Sequence, residues 1–567
     1  MNIPTLEQLD EALDKDPGNP AILHERGLWL LNMGRLNEAL VCLDLALILE
    51  PTSVYTYVSR SACYINMNRC LDGIEDCTRA IALDPNCCDA YLNRGAAWIT
   101  LKKPEPAVAD LEKALTLRED VRGLVNLCAA MHLQGRHGDA LKGYRRALEM
   151  DPNLHVARSS LIACLDFIHE EGFEVFQKER RLYYEQHGSK IAPLDHLQDN
   201  DPDRPLTIGY VGADFKYHSA AFCFKPLIER RDRKNFKVNI YSGVTAPDGM
   251  TQWFRQTADL WRDTMGMPDA ALAQRIRNDR VDILVDLSGH SVGNKLMAFA
   301  YKPAPVQITA WGHGGGTGLK QVDYQFTDPI WIPADVRHLF AEKCWDLPCF
   351  ITFEPPSFAP PIKPLPMLEN GYVTFGCMNR YQKVTPKVEA LWARVLEAVP
   401  GSRMIFKDQT FDEEVNRETV REAFRSHGID ADRLEFRGGT SHFEHLNAYG
   451  DVDILLDSFP MGGGITTWEA LYMGVPTITK LGSTQASRIA GAIEASVGIG
   501  SFVVNNDEEY IDLARVRSTD YVYMGRLRRG LRGIVTESDA GNPEKYTRFV
   551  ESAYRSMWRE WCQKTKI

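Results

Sequence analysis

No stretch of this 567-residue sequence is apolar for long enough to span a bilayer. No two of its thirteen cysteines make a CxxC, and no long basic run offsets a net charge of −11. Each absence excludes something. A membrane-spanning helix needs about 20 apolar residues. Zinc ribbons and dithiol redox sites need closely spaced cysteine pairs. A nucleic-acid partner needs a basic patch to meet its phosphates. The opening residues, Met1 to Glu7, carry neither a basic region nor an apolar core, so no secretory signal is expected. Cys63, Cys70 and Cys77 recur every seven residues, which predicts thiols inside helices rather than disulfides. The expectation is a cytoplasmic chain with no membrane and no nucleic-acid partner.

What is present begins with a repeat. Asp16-Pro17, Glu50-Pro51 and Asp84-Pro85 follow one another at a constant interval, and Asp151-Pro152 closes a later unit. Small residues return in register: Ala39, Gly73, Ala107 and Ala140; Ala46, Ala80, Ala114 and Ala147; Gly27, Ser61 and Gly95. Small side chains are needed where helices of stacked hairpins approach closely. The pattern resembles the tetratricopeptide repeat (TPR), which stacks into a solenoid with a concave groove. It predicts a repeat domain over 1–152. Asn93 and Asn126 fall on the groove side, where an amide can bind a peptide backbone as donor and acceptor; a solvated helix face is the alternative. Residues 153–204 read as a helical linker ending in a polar, proline-rich boundary.

From Leu206 the period changes. Thr207–Gly212, Val238–Ser242, Asp282–Leu287 and Val306–Trp311 read as buried strands with helical segments between them, which predicts a mostly parallel sheet over 205–354. Ligands bind beyond the carboxyl ends of such strands. Three of the four run into loops carrying His218, His290 and His313, which are expected to converge. Asp286 either orients a histidine or closes a turn. No HxxxH or HxH spacing appears in this lobe, so no metal is expected.

Six prolines within 355–366 make a stiff connector, and a second lobe follows over 367–540. Strand Tyr372–Met378 leads through Asn379, Arg380 and Lys383 to a helix opening at Thr385-Pro386. The apolar run Val452–Leu456 leads to Gly462-Gly463-Gly464-Ile465-Thr466-Thr467-Trp468-Glu469. Three glycines expose backbone N–H groups and two threonines open a helix, a place to hold a diphosphate. Thr466 to Glu469 also reads as a capping box, in which Glu469 would serve its own helix. Rings at His442 and His445 stand near enough in sequence to stack on a base. Asp451-Val452-Asp453 imitates a metal-binding DxD but sits at the wrong end of its strand. Residues 541–567 read as a helix with Tyr546, Phe549, Val550, Tyr554, Met557 and Trp561 on the packed side.

Taken in order, these motifs resemble the O-GlcNAc transferases and their bacterial relatives. The carriers are Gly209–Phe215 with His218, Pro303–Gln307 with its glycine-rich sequel, Asn379–Lys383, and Gly464–Pro476. The resemblance implies an N-terminal all-α TPR solenoid followed by two Rossmann-like lobes in the GT-B arrangement, an α plus α/β chain. It implies metal-independent, inverting transfer of GlcNAc from UDP-GlcNAc to protein Ser/Thr hydroxyls, with peptides reached through the TPR groove and no cofactor. By position, Lys383 offsets charge on the leaving UDP, with Arg380 beside it; Gly463, Gly464, Thr466 and Thr467 bind the phosphates. Glu469 meets the ribose and His445, with His442 nearby, the uracil. Gly312, His313 and Gly314 line the hexose pocket. His218 lines the acceptor side, with His290 and Asp286 as alternative bases. The chain departs from the animal enzymes at Arg380, Ala448 and His313-Gly314, so the base grip and sugar pocket are expected to differ. Two other readings share these motifs: a UDP-glucose-dependent N-glycosyltransferase acting on Asn, and an inactive UDP-binding scaffold.

Overall fold

The repeat period is a helix hairpin. Asp16, Glu50, Asp84 and Asp151 are helix C-caps, and the proline after each cannot continue the helix. The registered small residues meet as expected: Ala39, Ala80, Ala107, Ala114, Ala140 and Ala147 are wholly buried. A Cβ on Gly27 would stand 2.7 Å from Leu43 Cγ, so the paired helices admit nothing larger there. The computed structural model describes residues 4–168, 172–312 and 314–565, and the chain divides into two compact units, 1–164 and 165–567. The first unit is helical throughout, from Leu6–Lys15 to His155–Leu165.

Within it, Asn93 does not turn its amide donors outward. Its Nδ2 reaches back to Val58 O (3.2 Å) and Ser61 Oγ (3.0 Å) of the preceding repeat. Its expected place in an acceptor groove is therefore corrected: it links neighbouring repeats. Asn126 is half-buried. We expect Asn93→Ala to destabilise the repeat unit by about 1 kcal/mol, read by chemical denaturation, with the KM for a protein acceptor unchanged.

The second unit holds two parallel sheets. In the first lobe these are β1 (Leu206–Gly212), β2 (Phe236–Ser242), β3 (Leu260–Asp263), β4 (Ile283–Asp286), β5 (Val306–Thr309), β6 (Tyr324–Thr327) and β7 (Lys343–Asp346). Their order is β3-β2-β1-β4-β5-β6-β7. In the second lobe they are β8 (Thr374–Cys377), β9 (Arg403–Lys407), β10 (Leu434–Arg437), β11 (Ile454–Leu456), β12 (Thr477–Lys480) and β13 (Val503–Val504). Their order is β10-β9-β8-β11-β12-β13. The order reverses at β1/β4 and at β8/β11, and such switch points open a crevice at the strands' carboxyl ends. Both sheets feed one continuous apolar core, with Ile208, Ile283 and Ile308 from one and Phe375, Phe406 and Ile478 from the other.

Two helices outside the sheets are part of this unit. The helix Phe173–Gln186, assigned to a linker, is bonded into the first lobe. Arg180, fully buried, donates to Gly316 O (2.9 Å), Gly314 O (3.3 Å) and Phe176 O (3.2 Å), and Gln177 Nε2 donates to Gly315 O (2.7 Å). The helix Pro543–Lys564 returns from the second lobe to the first. Tyr554 Oη lies 3.1 Å from Tyr210 Oη, Trp311 Nε1 donates to Tyr546 Oη (3.2 Å), and Trp558 Nε1 donates to Asp201 O (2.9 Å). Phe549, expected on its packed side, is exposed, and Trp558 is buried instead. Among the described residues no helix is long and apolar enough to cross a membrane, and no disulfide joins any cysteine.

Candidate active site

At the second lobe's switch point two strand-end loops meet. β8 runs into Asn379 and β11 into Asp457 and Ser458, and those side chains bind each other. Asn379 Nδ2 donates to Asp457 Oδ1 and Ser458 Oγ, both at 3.2 Å, while Asn379 Oδ1 accepts from Thr466 Oγ1 (2.6 Å). Asp457 also accepts Gly463 N–H (2.8 Å) and Thr479 Oγ1 (2.8 Å). Burial pushes the Asp457 pKa up to about 6. This network fixes the glycine loop before any ligand arrives. Sequence reading passed over Asn379 and Asp457 as site residues; an acid at a strand's carboxyl end, five residues before the glycines, was the available signal.

Lys383 lies in a short 3-10 turn, Tyr381–Lys383, and its Nζ donates to Gly462 O at 2.8 Å. Burial and the exposed Arg380 next to it lower its pKa from the ordinary 10.5 to about 8; Asp457 opposes them. The helix Ile465–Tyr472 starts at Gly464, and no side chain caps its N-terminus. A Cβ on Gly463 would stand 2.7 Å from Thr467 Oγ1, 2.9 Å from Thr466 Oγ1 and 3.0 Å from Asn379 Oδ1. Only glycine fits there. A cation, uncapped helix N–H groups and two hydroxyls gathered about it suit a diphosphate. Accordingly Gly463→Ala is expected to weaken UDP binding by roughly 5- to 150-fold in calorimetry, since overpacking costs about 1–3 kcal/mol.

Glu469 is buried and serves neither as the expected cap nor alone. Its Oε1 lies 2.7 Å from His442 Nε2 and its Oε2 3.4 Å from His445 Nε2. Burial raises its pKa, but the two imidazoles outweigh that and hold it below the usual range. The capping box fails because the helix begins one residue before Thr466. His445 is edge-on to Tyr449, whose hydroxyl donates to Thr466 O (3.1 Å). His442 lies between Phe358 of the connector and Phe222 of the first lobe, with ring centroids 5.4 and 5.8 Å away. Asp453 accepts from Met367 N and Thr374 N, a structural role, as its place at a strand's start implied.

Four residues before Phe222, His218 stands exposed at the carboxyl end of β1. Its Nδ1 accepts Ala220 N–H (3.3 Å) and lies 3.6 Å from Asp214 Oδ1. His290 is buried, its Nε2 3.0 Å from Thr317 O and its ring edge-on to Tyr183. Asp286 is likewise enclosed, accepting Ser288 N, Gly289 N and Thr309 Oγ1. It closes the turn after β4. Neither faces solvent. His313 lies outside the described residues. Its neighbours are tightly held: Trp311 has φ +57°, and a Cβ on Gly312 would stand 2.0 Å from Leu287 O. Gly314 lies against the Trp331 ring, and Trp331 Nε1 donates to Gln485 O of the second lobe (2.9 Å). A separate cavity of about 550 Å³ is lined by Phe459, Lys480, Asn505 and Asp507; neither Lys383 nor His218 forms its wall, so it is set apart from the reaction.

Residues 186–352 and 365–550 match the model described as glycosyl transferase family 41, and residues 89–121 match a tetratricopeptide repeat. The chain belongs to glycosyl transferase family 41. Its relatives include a probable UDP-N-acetylglucosamine–peptide N-acetylglucosaminyltransferase, SPINDLY, of Oryza sativa, 36% identical over 74% of this chain and 46% of the relative. The protein of the same description from Arabidopsis thaliana is 35% identical over 73% and 46%. This family-41 chain thus spans about half the length of those plant relatives. A solved mutant of the Thermobaculum terrenum O-GlcNAc transferase superposes with a TM-score of 0.85 at 29% identity, covering 90% of this chain and 98% of that one. The family-41 fold here is the expected one, helical repeats followed by two Rossmann-like lobes in the GT-B arrangement.

Proposed function

We propose that this family-41 chain transfers N-acetylglucosamine from UDP-GlcNAc to serine and threonine hydroxyls of cytoplasmic proteins, inverting the anomeric carbon without a metal. The observation that carries the reading is the cluster at β8/β11: Lys383, Thr466 and Thr467 gathered about Gly463 at the uncapped N-terminus of the helix Ile465–Tyr472. As the sugar–oxygen bond breaks, charge grows on UDP. Lys383 and the helix N-terminus meet that charge, the task a metal performs elsewhere. The hydroxyl attacks from the opposite face, and His218 takes its proton, with Asp214 3.6 Å away to steady the imidazolium. His445, with His442 and Glu469 behind it, holds the uridine, and the repeat unit presents the acceptor.

The test is a donor panel of UDP-GlcNAc, UDP-glucose and a GDP-sugar with purified protein and lysate, read by intact mass and site mapping. HexNAc on Ser or Thr, at a rate unchanged by EDTA, supports the proposal. Hexose on Asn, transfer from the GDP-sugar alone, or UDP binding without transfer overturns it.

A further inference from the structure

Away from the transfer site, the repeat unit gathers three metal-ligating side chains from three helices. His132 is in the last turn of the helix Val121–Leu133, His137 opens the helix His137–Met150, and Cys164 lies near the end of the helix His155–Leu165. Between the first two, Gly135 has φ +78°, and this tight turn folds the second helix back so that the imidazoles meet. Their Nδ1 atoms are 2.9 Å apart and their ring centroids 4.6 Å. One ligand atom from each of the three residues lies within 4.8 Å of the others, a cluster found among the described residues. His137 and Cys164 are buried and His132 is half-buried.

We propose that His132, His137 and Cys164 form a zinc site that fastens the helix His155–Leu165 to the hairpin before it. Two imidazole nitrogens and a thiolate are the donor set that Zn²⁺ favours, with Zn–N at about 2.0–2.1 Å and Zn–S at about 2.3 Å. Ligand atoms around one tetrahedral zinc stand roughly 3.3–3.6 Å apart. The histidine nitrogens therefore need to part by a few tenths of an ångström and the thiol to close by up to about 1.2 Å. Three protein ligands leave a fourth position for water on the half-buried His132 side. Binding displaces the thiol proton to solvent and forms one Zn–S and two Zn–N bonds, with no change of oxidation state. No sequence spacing advertises the site, because the cysteine lies far along the chain from the histidine pair and on a different helix.

The experiment uses the full chain, stripped with chelator, loaded with one equivalent of ZnCl₂ or CoCl₂ and desalted. Metal is counted by mass spectrometry, and the cobalt form is read by its absorption. The proposal expects one retained Zn²⁺ per chain, a tetrahedral cobalt spectrum with a thiolate-to-cobalt charge-transfer band, and a Tm raised by zinc. Cys164→Ala should abolish the charge-transfer band and the Tm shift, leaving twelve cysteines in place. His132→Gln, at a partly solvated position, should cut zinc retention at least tenfold; unchanged circular dichroism shows that the variants fold. Absence of retained metal in the parent chain overturns the proposal. So does retention with the same spectrum in both variants, which would put the metal elsewhere.

Discussion

Lys383→Ala lowers kcat by roughly 100- to 1,000-fold, the scale for removing one preorganised partner of a developing charge. The loss concentrates in kcat because charge on the leaving diphosphate is larger in the transition state than in the bound donor. Steady-state kinetics with UDP-GlcNAc and a peptide acceptor measure it. The pH dependence identifies the group. With its pKa at about 8, Lys383 is largely protonated at pH 7 and loses its charge as pH rises through 8. UDP affinity in the parent chain is therefore flat below pH 8 and falls above it, while Lys383→Ala binds weakly with no such break. Stability moves the other way. The folded pKa lies below the unfolded 10.5, so the unfolded chain binds the extra proton between the two. This group's contribution to stability is full above 10.5 and lost as pH falls through 8. The alanine variant is thus expected to be no less stable than the parent at pH 7. A matching loss of stability would mean that activity fell because the loop collapsed.

Arg180→Ala is expected to destabilise the second unit by roughly 3–5 kcal/mol, the range for removing one partner of a buried charged cluster. Burial lowers the Arg180 pKa, against the pull of Asp166 and Glu342. The guanidinium holds the carbonyls of Gly314 and Gly316. From the other side, Glu342 Oε1 accepts the amides of Thr317 and Gly318. Removing the arginine leaves those carbonyls unpaired in a space closed to water, and it leaves Glu342 without a nearby cation. Chemical denaturation reads the stability loss. UDP affinity, which we place on the other lobe, should change less than about threefold, while kcat/KM falls if the loosened loop is, as proposed, the one facing the sugar. An unchanged kcat/KM would remove the 312–318 loop from the sugar pocket.

Much of this was legible in the sequence, and the failures share causes. Long apolar strands such as β1 and β2 stood out, as did the repeat with its acid–proline stops. β3, β7 and β13 did not: all three edge their sheets, and Leu260–Asp263 and Lys343–Asp346 are half polar. A short edge strand is set by its neighbour's free hydrogen bonds, which carry no periodic signature. The phosphate loop was visible because glycine and threonine act there through local backbone geometry. Its supports, Asn379 and Asp457, act across distant segments, as Arg180 does for the 314–316 loop, and only folding brings them in. The histidines failed for the same reason. His218 and His290 look alike as strand-end residues, and what separates them is a tyrosine from the helix Phe173–Gln186 packed on His290.

The helix Pro543–Lys564 has a consequence for how the protein is made. Tyr546 and Tyr554 complete the wall against which Trp311 and Tyr210 pack, yet they are synthesised after the whole second lobe. A ribosome adds about 5–20 residues per second, so β1 to β7 wait on the order of ten seconds or more for the helix that covers them. During that interval an apolar face of the nascent first lobe stays open. Synthesis therefore favours the reverse of the reading order, with the second lobe closed first and the first lobe sealed last.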